Sequence, residues 1–371
     1  MPSLLIVAHH RADRSPSQRF RFEQYMAWLE QQGWQVTLSP LLSAEDDRVF
    51  YARGAWLGKM GVLLRATARR LRDVWRARRA DRVLVQREAF MLGTALFERI
   101  LRAAVQANGG QLIFDFDDAI WLPNVSEGNK ALGWLKSARK TERIIRVSDH
   151  VIAGNAFLAD YARQFNSKVS IIPTTIDTDE YVPGPAHDPA APVVIGWSGS
   201  VTTVQHFNLA LPALRVLKER YGERVRFEVV GDGNFALPEL GIVGKPWRKT
   251  SELDDLRSFD IGIMPLPDEA WAQGKCGLKG LQYMALGIAT VMSPVGVNRD
   301  IIRHGENGFL ASTDAEWVDV LSALIDDAPL RQRLGEAGRK TVIERYSVAS
   351  QCERYAQVLA GEIVVPAGSS E

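Results

Sequence analysis

The sequence predicts an α/β protein made of two Rossmann-like domains, each with a parallel sheet. Three observations predict it. Short apolar runs alternate with longer amphipathic stretches, the βαβ rhythm of a parallel sheet covered by helices. The rhythm breaks at residues 182–192, where four prolines and a glycine exclude helix and sheet, and then it restarts. Finally, 371 residues exceed one ordinary core and suit two domains of about 150–200 residues.

The elements follow in order. Residues 4–8 form the first strand. Ser15, Pro16 and Ser17 open a helix, with cap-type serines and a proline suited to its first turn. Phe22, Tyr25, Met26 and Leu29 give that helix one buried face, and Gly33 ends it. Strands follow at 34–38, 83–86, 112–116, 151–153 and 169–172, with helices between them. The first domain is expected to run to residue 181, with 182–192 as linker. The second, 193–349, repeats the pattern: strand 193–197, a glycine-serine loop, a helix from about Thr203, and strands at 227–230, 261–264 and 290–292. Amphipathic helices fill roughly 330–361, and the tail at 365–371 is expected to fray.

Composition excludes several classes. The chain is 46% hydrophobic and 24% charged, ordinary globular values. A net charge of +1 gives no global nucleic-acid signal. Two cysteines, Cys276 and Cys352, make no disulfide framework and favour a reducing compartment. The N-terminus lacks a basic start and a cleavage site, so it reads as a buried strand. No apolar run approaches the roughly 18–20 residues of a membrane span. A cytoplasmic protein, at most peripheral on the inner face of a membrane, is expected. Residues 56–82 are locally basic, with Trp56, Leu63, Leu64, Leu71, Val74 and Trp75 interleaved. Such a helix is commonly a solvated face, but it also suits an anionic membrane surface. No nucleic-acid motif accompanies it.

The most informative segment is 265–294, which reads as strand end, loop, helix, strand. Its loop supplies Gly274, Lys275 and Gly277, and Lys279 stands in the first helical turn. A helix N-terminus is an anion site, and two lysines beside it point to a diphosphate and hence a nucleotide. Gly196-Trp197-Ser198-Gly199-Ser200 and Gly231-Asp232-Gly233 also follow strands, at the sheet edge where ligands of such folds bind. Gly274-Lys275-Cys276 is no P-loop, because Ser or Thr does not follow the lysine. The six histidines show no metal spacing. Asp115-Phe116-Asp117-Asp118 contains an Asp-x-Asp, and period-2 geometry places Asp115 and Asp117 on one face. A helix-capping cluster and a ligand-lining role for Asp117 or Asp118 both fit; no metal is assigned. Arg19 and Arg21 open the first helix, where they meet an anionic acceptor or merely cover the surface.

Together these residues resemble the retaining glycosyltransferases of family 4 (glycosyl transferases group 1), which have the GT-B fold. Ser148-Asp149-His150-Val151-Ile152-Ala153-Gly154-Asn155 and Ile172-Pro173-Thr174-Thr175-Ile176-Asp177 resemble the end of that family's first domain. Val230-Gly231-Asp232-Gly233, Tyr283-Met284-Ala285-Leu286-Gly287 and His304-Gly305-Glu306-Asn307-Gly308-Phe309 resemble its second. The resemblance implies metal-independent transfer of a sugar from a nucleotide-sugar, with no further cofactor, to a glycan or lipid-linked acceptor of surface-glycan type. It also implies that residues after about 350 return to the first domain, with a helix over about 350–364. Donor contacts then fall to Gly196, Ser198, Gly199, Ser200, Gly231, Gly233, Gly274, Gly277, Leu278 and Gln282. Trp247 flanks the base or belongs to the core. Lys275 and Lys279 carry the diphosphate charge. Asp117 holds a hydroxyl of sugar or acceptor, and Asp118, Arg19 and Arg21 lie on the acceptor side. The chain departs from the family's Glu-x7-Glu pattern, having Gly274 and Gln282 at those positions. Gln282 still accepts from a ribose hydroxyl through its amide oxygen; Gly274 replaces nothing. A divergent subgroup follows. A non-catalytic nucleotide-sugar binding subunit and a nucleotide-sugar epimerase of the same architecture are the alternatives.

Overall fold

The computed structural model describes residues 1–52, 54, 56–91, 93–122, 138–185 and 187–362, and the tail expected at 365–371 lies outside them. The chain divides into two compact units, Met1–Pro173 with Cys352–Glu371, and Thr174–Gln351. The boundary falls earlier than residue 181. Prolines exclude regular structure from 182–192 but not packing. Arg257 donates to the Val182 carbonyl at 3.0 Å, and the His187 ring lies 2.7 Å from Asp260, both within the second unit. Tyr181 and Ile176 are also held there, by Glu252 and Ser347.

The first unit has strands Ser3–Ala8 (β1), Gln35–Pro40 (β2), Arg82–Gln86 (β3), Gln111–Phe116 (β4), His150–Ala153 (β5) and Val169–Ile171 (β6). They form one parallel sheet in the order β2-β1-β3-β4-β5-β6. Leu4, Leu5, Ile6 and Val7 are all buried, as a strand covered on both faces requires. The helix expected from Ser15 is interrupted: Pro16–Gln18 is α, Arg19–Glu23 is π-helical, and Gln24–Gln31 is α again. The wider turn buries Arg19, Phe20, Arg21 and Phe22 in succession, which a regular α-turn, with its one buried stripe, would not do. The helix Val348–Ala360 enters this unit at Cys352. Its Tyr355 stacks on Tyr25 with ring centroids 4.4 Å apart.

The second unit has strands Val193–Ser198 (β7), Val225–Gly231 (β8), Ala236–Leu237 (β9), Ile242–Val243 (β10), Lys245–Pro246 (β11), Ile261–Met264 (β12), Ala289–Met292 (β13) and Phe309–Leu310 (β14). The small antiparallel pair β9–β10 stands apart from the parallel sheet β11-β8-β7-β12-β13-β14. From β7 the chain moves outward to β8, then returns past it to β12. Strand order therefore reverses between β7 and β12. The connections leaving these neighbours diverge at their C-terminal ends, the usual ligand position in open α/β sheets. In the first unit the same reversal lies between β1 and β3.

Candidate functional site

The reversal in the second sheet brings together the loop after β7 and the loop after β12. Gly277, with φ of 71°, turns the chain into the helix Leu278–Ala285. A Cβ there would lie 2.3 Å from Ile301 Cδ1, so only glycine fits both the backbone and the space. The first N–H groups of this helix have no partner within it. Lys279 stands in that turn, half-buried, its Nζ 4.4 Å from the Trp197 ring centroid and 3.4 Å from Thr203 Oγ1. Lys275 Nζ lies 3.4 Å over the Trp271 ring. His206, buried, is 5.9 Å from Trp271, centroid to centroid.

The electrostatics follow from burial. Desolvation, then the neighbouring Lys275, pulls Lys279 down to about 7. The electron-rich face of Trp197 acts in the opposite direction and favours the ammonium. Burial, followed by the charges of Lys279 and Lys275, takes His206 down to about 4, so at neutral pH it adds no third cation. The partners of Lys279 are thus a ring face and a hydroxyl. Two lysine side chains beside a helix N-terminus, at the reversal of strand order, are an arrangement that could hold an anion.

A second cluster lies beside it. Gln282, at one face with Lys279, is buried, and its Nε2 donates to Tyr181 Oη at 3.0 Å and to Glu252 Oε1 at 3.3 Å. Tyr181 donates to Glu252 Oε2 at 3.1 Å, and Trp247 Nε1 to Glu252 Oε1 at 3.0 Å. A carboxylate only accepts, so the amide must present nitrogen to it, and its oxygen lies on the other branch of the amide plane. Trp247 is half-buried and held by Glu252.

Several residues expected to touch a donor are otherwise engaged. Gly196 is inside β7, and a Cβ would meet Phe259 at 2.1 Å, so this glycine serves core packing. Ser198 gives its N–H to Tyr283 Oη at 2.7 Å and shares its hydroxyl with the same atom at 2.9 Å. Gly231 has φ of 140°, and a Cβ there would lie 2.4 Å from the Gly199 carbonyl oxygen. Gly231 thus lets the two loops press together, and a Cβ at Gly199 would meet the Trp197 ring at 2.1 Å. Gly233 packs near Pro246, Gly274 is buried in the turn before Lys275, and Leu278 begins the helix. Ser200 is exposed in a hydroxyl-rich turn with Thr202 and Thr203.

In the first unit the acidic run separates. Asp115 is buried inside β4 and pairs with Arg21 at 2.5 Å, both side chains 1% exposed. Arg21 also donates to the Ile172 carbonyl at 2.5 Å. Arg21 therefore neither covers the surface nor reaches an acceptor: a buried carboxylate holds it. Arg19 is buried too, its guanidinium 5.0 Å over the Phe20 ring. Asp117 lies past the strand end, 2.8 Å from Arg87 Nε, and Asp118 is 3.6 Å from Arg87 Nη2. Arg87 has φ of 60°, a conformation that costs about 1–3 kcal/mol outside glycine and often marks functional loops. His9 and Glu88 stand 3.7 Å apart at the ends of β1 and β3, where this sheet's order reverses. Burial takes His9 down to about 4, against the pull of Glu88. Sequence reasoning missed Arg87, His9, Glu88, His206, Trp271 and Glu252. All but Trp271 are positioned by contacts between distant segments, which local pattern does not encode; Trp271, four residues before Lys275, was within reach of helical spacing.

Fold and site together define a GT-B architecture of two Rossmann-like units. Crystal structures agree: Anabaena HepE in complex with UDP and glucose superposes with a TM-score of 0.65 at 15% identity, over 97% of this chain and 99% of that one. Sucrose-phosphate synthase of Thermosynechococcus elongatus gives 0.68 at 13% identity, over 97% and 98%. Residues 192–327 match the sequence model of the family described as Glycosyl transferases group 1. A D-inositol 3-phosphate glycosyltransferase of Stackebrandtia nassauensis is 27% identical over 226 residues, 52% of this chain and 50% of the relative. A phosphatidyl-myo-inositol mannosyltransferase of Mycobacterium tuberculosis is 26% identical over 270 residues, 64% and 70% respectively. The chain spans about half the length of the inositol phosphate glycosyltransferases it matches.

Proposed function

We propose that the protein is a retaining, metal-independent glycosyltransferase that moves a sugar from a nucleotide-sugar to a glycan or lipid-linked acceptor in surface-glycan assembly. The observation that carries this reading is the Lys275–Lys279 pair at the N-terminus of helix Leu278–Ala285, within the family-matched residues. The acceptor oxygen bonds to the anomeric carbon as the bond to the donor phosphate breaks. The electron pair leaves with the nucleoside diphosphate, and the acceptor proton goes to the departing phosphate oxygen. The two ammonium groups and the helix N–H groups stabilise that developing charge. The Gln282 amide oxygen takes a ribose hydroxyl, and Asp117 holds a hydroxyl of sugar or acceptor. Support for the donor comes from HepE, whose crystals hold UDP and glucose. Support for a lipid-linked or envelope acceptor comes from the mannosyltransferase relative and from a lipopolysaccharide outer core galactosyltransferase of the same fold, with a TM-score of 0.60.

Gly274 and Gln282, in place of two carboxylates, favour one rival: a divergent subgroup member that binds nucleotide-sugar without turning it over. A thermal-shift panel of UDP-, GDP-, ADP- and CMP-sugars, followed by assay of nucleotide release with acceptor lipid, separates the two. Stabilisation with acceptor-dependent release supports transfer, and product NMR reads anomeric retention. Stabilisation without release supports the binding subunit. No stabilisation by any of the four overturns both.

A further inference from the structure

The helix Trp56–Ala77 carries two apolar faces. Its inner face buries Val62, Ala66 and Ala77, with Val62 and Ala66 packed against Leu41, Leu42 and Phe90. Arg70, fully buried on the same face, donates to the carbonyls of Ala8 at 2.7 Å, Ser39 at 3.2 Å and Ala89 at 2.5 Å. Asp73 closes the set at 2.7 Å from Arg70. These bonds fix the rotation of the helix, so its opposite face must point outward. That face holds Leu57, Met60, Leu64, Leu71 and Trp75, spaced at helical intervals and 52–92% exposed. Trp56, 79% exposed, extends it. Single exposed apolar residues are ordinary, but a stripe along a whole helix marks an interaction surface.

We propose that this stripe is a docking surface for an anionic lipid bilayer. The charge beside it identifies the occupant. By helical phase Arg65, Arg72 and Arg76 line one flank of the stripe, and Arg79 follows in the turn beyond the helix. Arg65 is shared with Asp46, and Arg76 leans on Asp73. The only acid in the helix sequence is Asp73, and it is buried. At the two ends, Arg79 lies 4.1 Å over the Trp75 ring and Lys59 lies 5.9 Å from the Trp56 ring. Tryptophan beside a cation suits the headgroup layer, where the ring is half in hydrocarbon and the charge meets phosphate. The helix would lie in the interface plane rather than cross it; no described helix is long and apolar enough to span a membrane. A second copy of this chain is the rival occupant. Stripe against stripe would set arginine flanks together with no exposed acid on the helix to answer them, which disfavours that pairing.

The test needs neither donor nor acceptor, so its failure is separate from that of the transferase reading. The full chain is sedimented with vesicles of phosphatidylcholine alone and of equal parts phosphatidylcholine and phosphatidylglycerol. Binding is expected to the mixed vesicles only, and to weaken with salt. Leu64→Glu with Leu71→Glu should abolish it, and Arg72→Glu with Arg79→Glu should weaken it about tenfold or more. All four side chains are exposed, so circular dichroism should stay unchanged; if the leucine pair misfolds, the arginine pair decides. No sedimentation of the native chain with anionic vesicles overturns the proposal. So does binding that persists in both variants, or light scattering that shows a dimer dissolved by the leucine changes in a chain that ignores vesicles.

Discussion

At the residue scale Lys279 shows how far pattern reading goes. Glycines and lysines after an apolar run were legible as a loop that leads into a helix start, because only neighbours in sequence are involved. The ring beneath Lys279 is Trp197, from a distant strand, and the buried imidazole nearby is His206, from another helix. Neither could be paired with it from spacing. Their effect is testable. Burial holds Lys279 at about 7 in the folded chain, below the 10.5 of the free side chain. Between those values the unfolded chain binds more protons, so stability should rise with pH across that window. Lys279→Met should flatten that rise in urea titrations at successive pH values, and leave the melting temperature at neutral pH equal or higher. Its catalytic rate should fall about 100- to 1000-fold if the ammonium stabilises a leaving diphosphate. Calorimetry near pH 8 should also show proton uptake on nucleotide binding in the native chain and none in Lys279→Met. Arg21 teaches the opposite lesson. Its place at a helix start suggested an acceptor contact or surface cover, yet its partner Asp115 comes from β4. Arg21→Met should cost about 3–5 kcal/mol in chemical denaturation, because Asp115 would remain buried and unpaired.

At the element scale, the parallel strands of the first sheet and the four longer ones of the second were legible in kind, from apolar runs between turn residues; the two-residue edge strands β11 and β14 were too short to leave a pattern. Their order was not, since it depends on pairings between distant segments. The candidate site depends on that order: the loops after β7 and β12 lie side by side because these strands are neighbours. The π-helical Arg19–Glu23 was equally hidden, because periodicity assumes a constant turn. The helix Leu278–Ala285 offers the direct test of the anion site. Gly277→Ala would force an unfavourable backbone angle and press on Ile301. It should cost more than about 1 kcal/mol in stability. It should also reduce nucleotide-induced thermal stabilisation, because the helix start would shift. Unchanged nucleotide affinity in a destabilised Gly277→Ala protein would detach the helix N-terminus from the phosphates.

At the scale of the whole molecule the proline-rich stretch announced two units, and its limits were set by packing that composition does not reveal. The last helix carries the sharpest consequence. Tyr355, Val358 and Leu359 are buried within the first unit, and Arg82 donates to the Leu359 and Ala360 carbonyls at 2.5 and 2.6 Å. Burying three such side chains contributes about 1.5–3 kcal/mol each, so together about 5–9 kcal/mol. Whole domains are stable by only about 5–15 kcal/mol. A chain ending at Gln351 should therefore lose the first unit and keep the second, whose core lies within 174–351. Scanning calorimetry should show the first unit's transition gone. The nucleotide that stabilises the full chain should still stabilise the remainder, since Lys275, Lys279, Gln282 and Glu252 all lie there. The proposed sugar transfer should vanish. Retention of both transitions would show that the first unit does not need its last helix. Loss of nucleotide stabilisation from a folded remainder would mean that the donor site is not contained in the second unit.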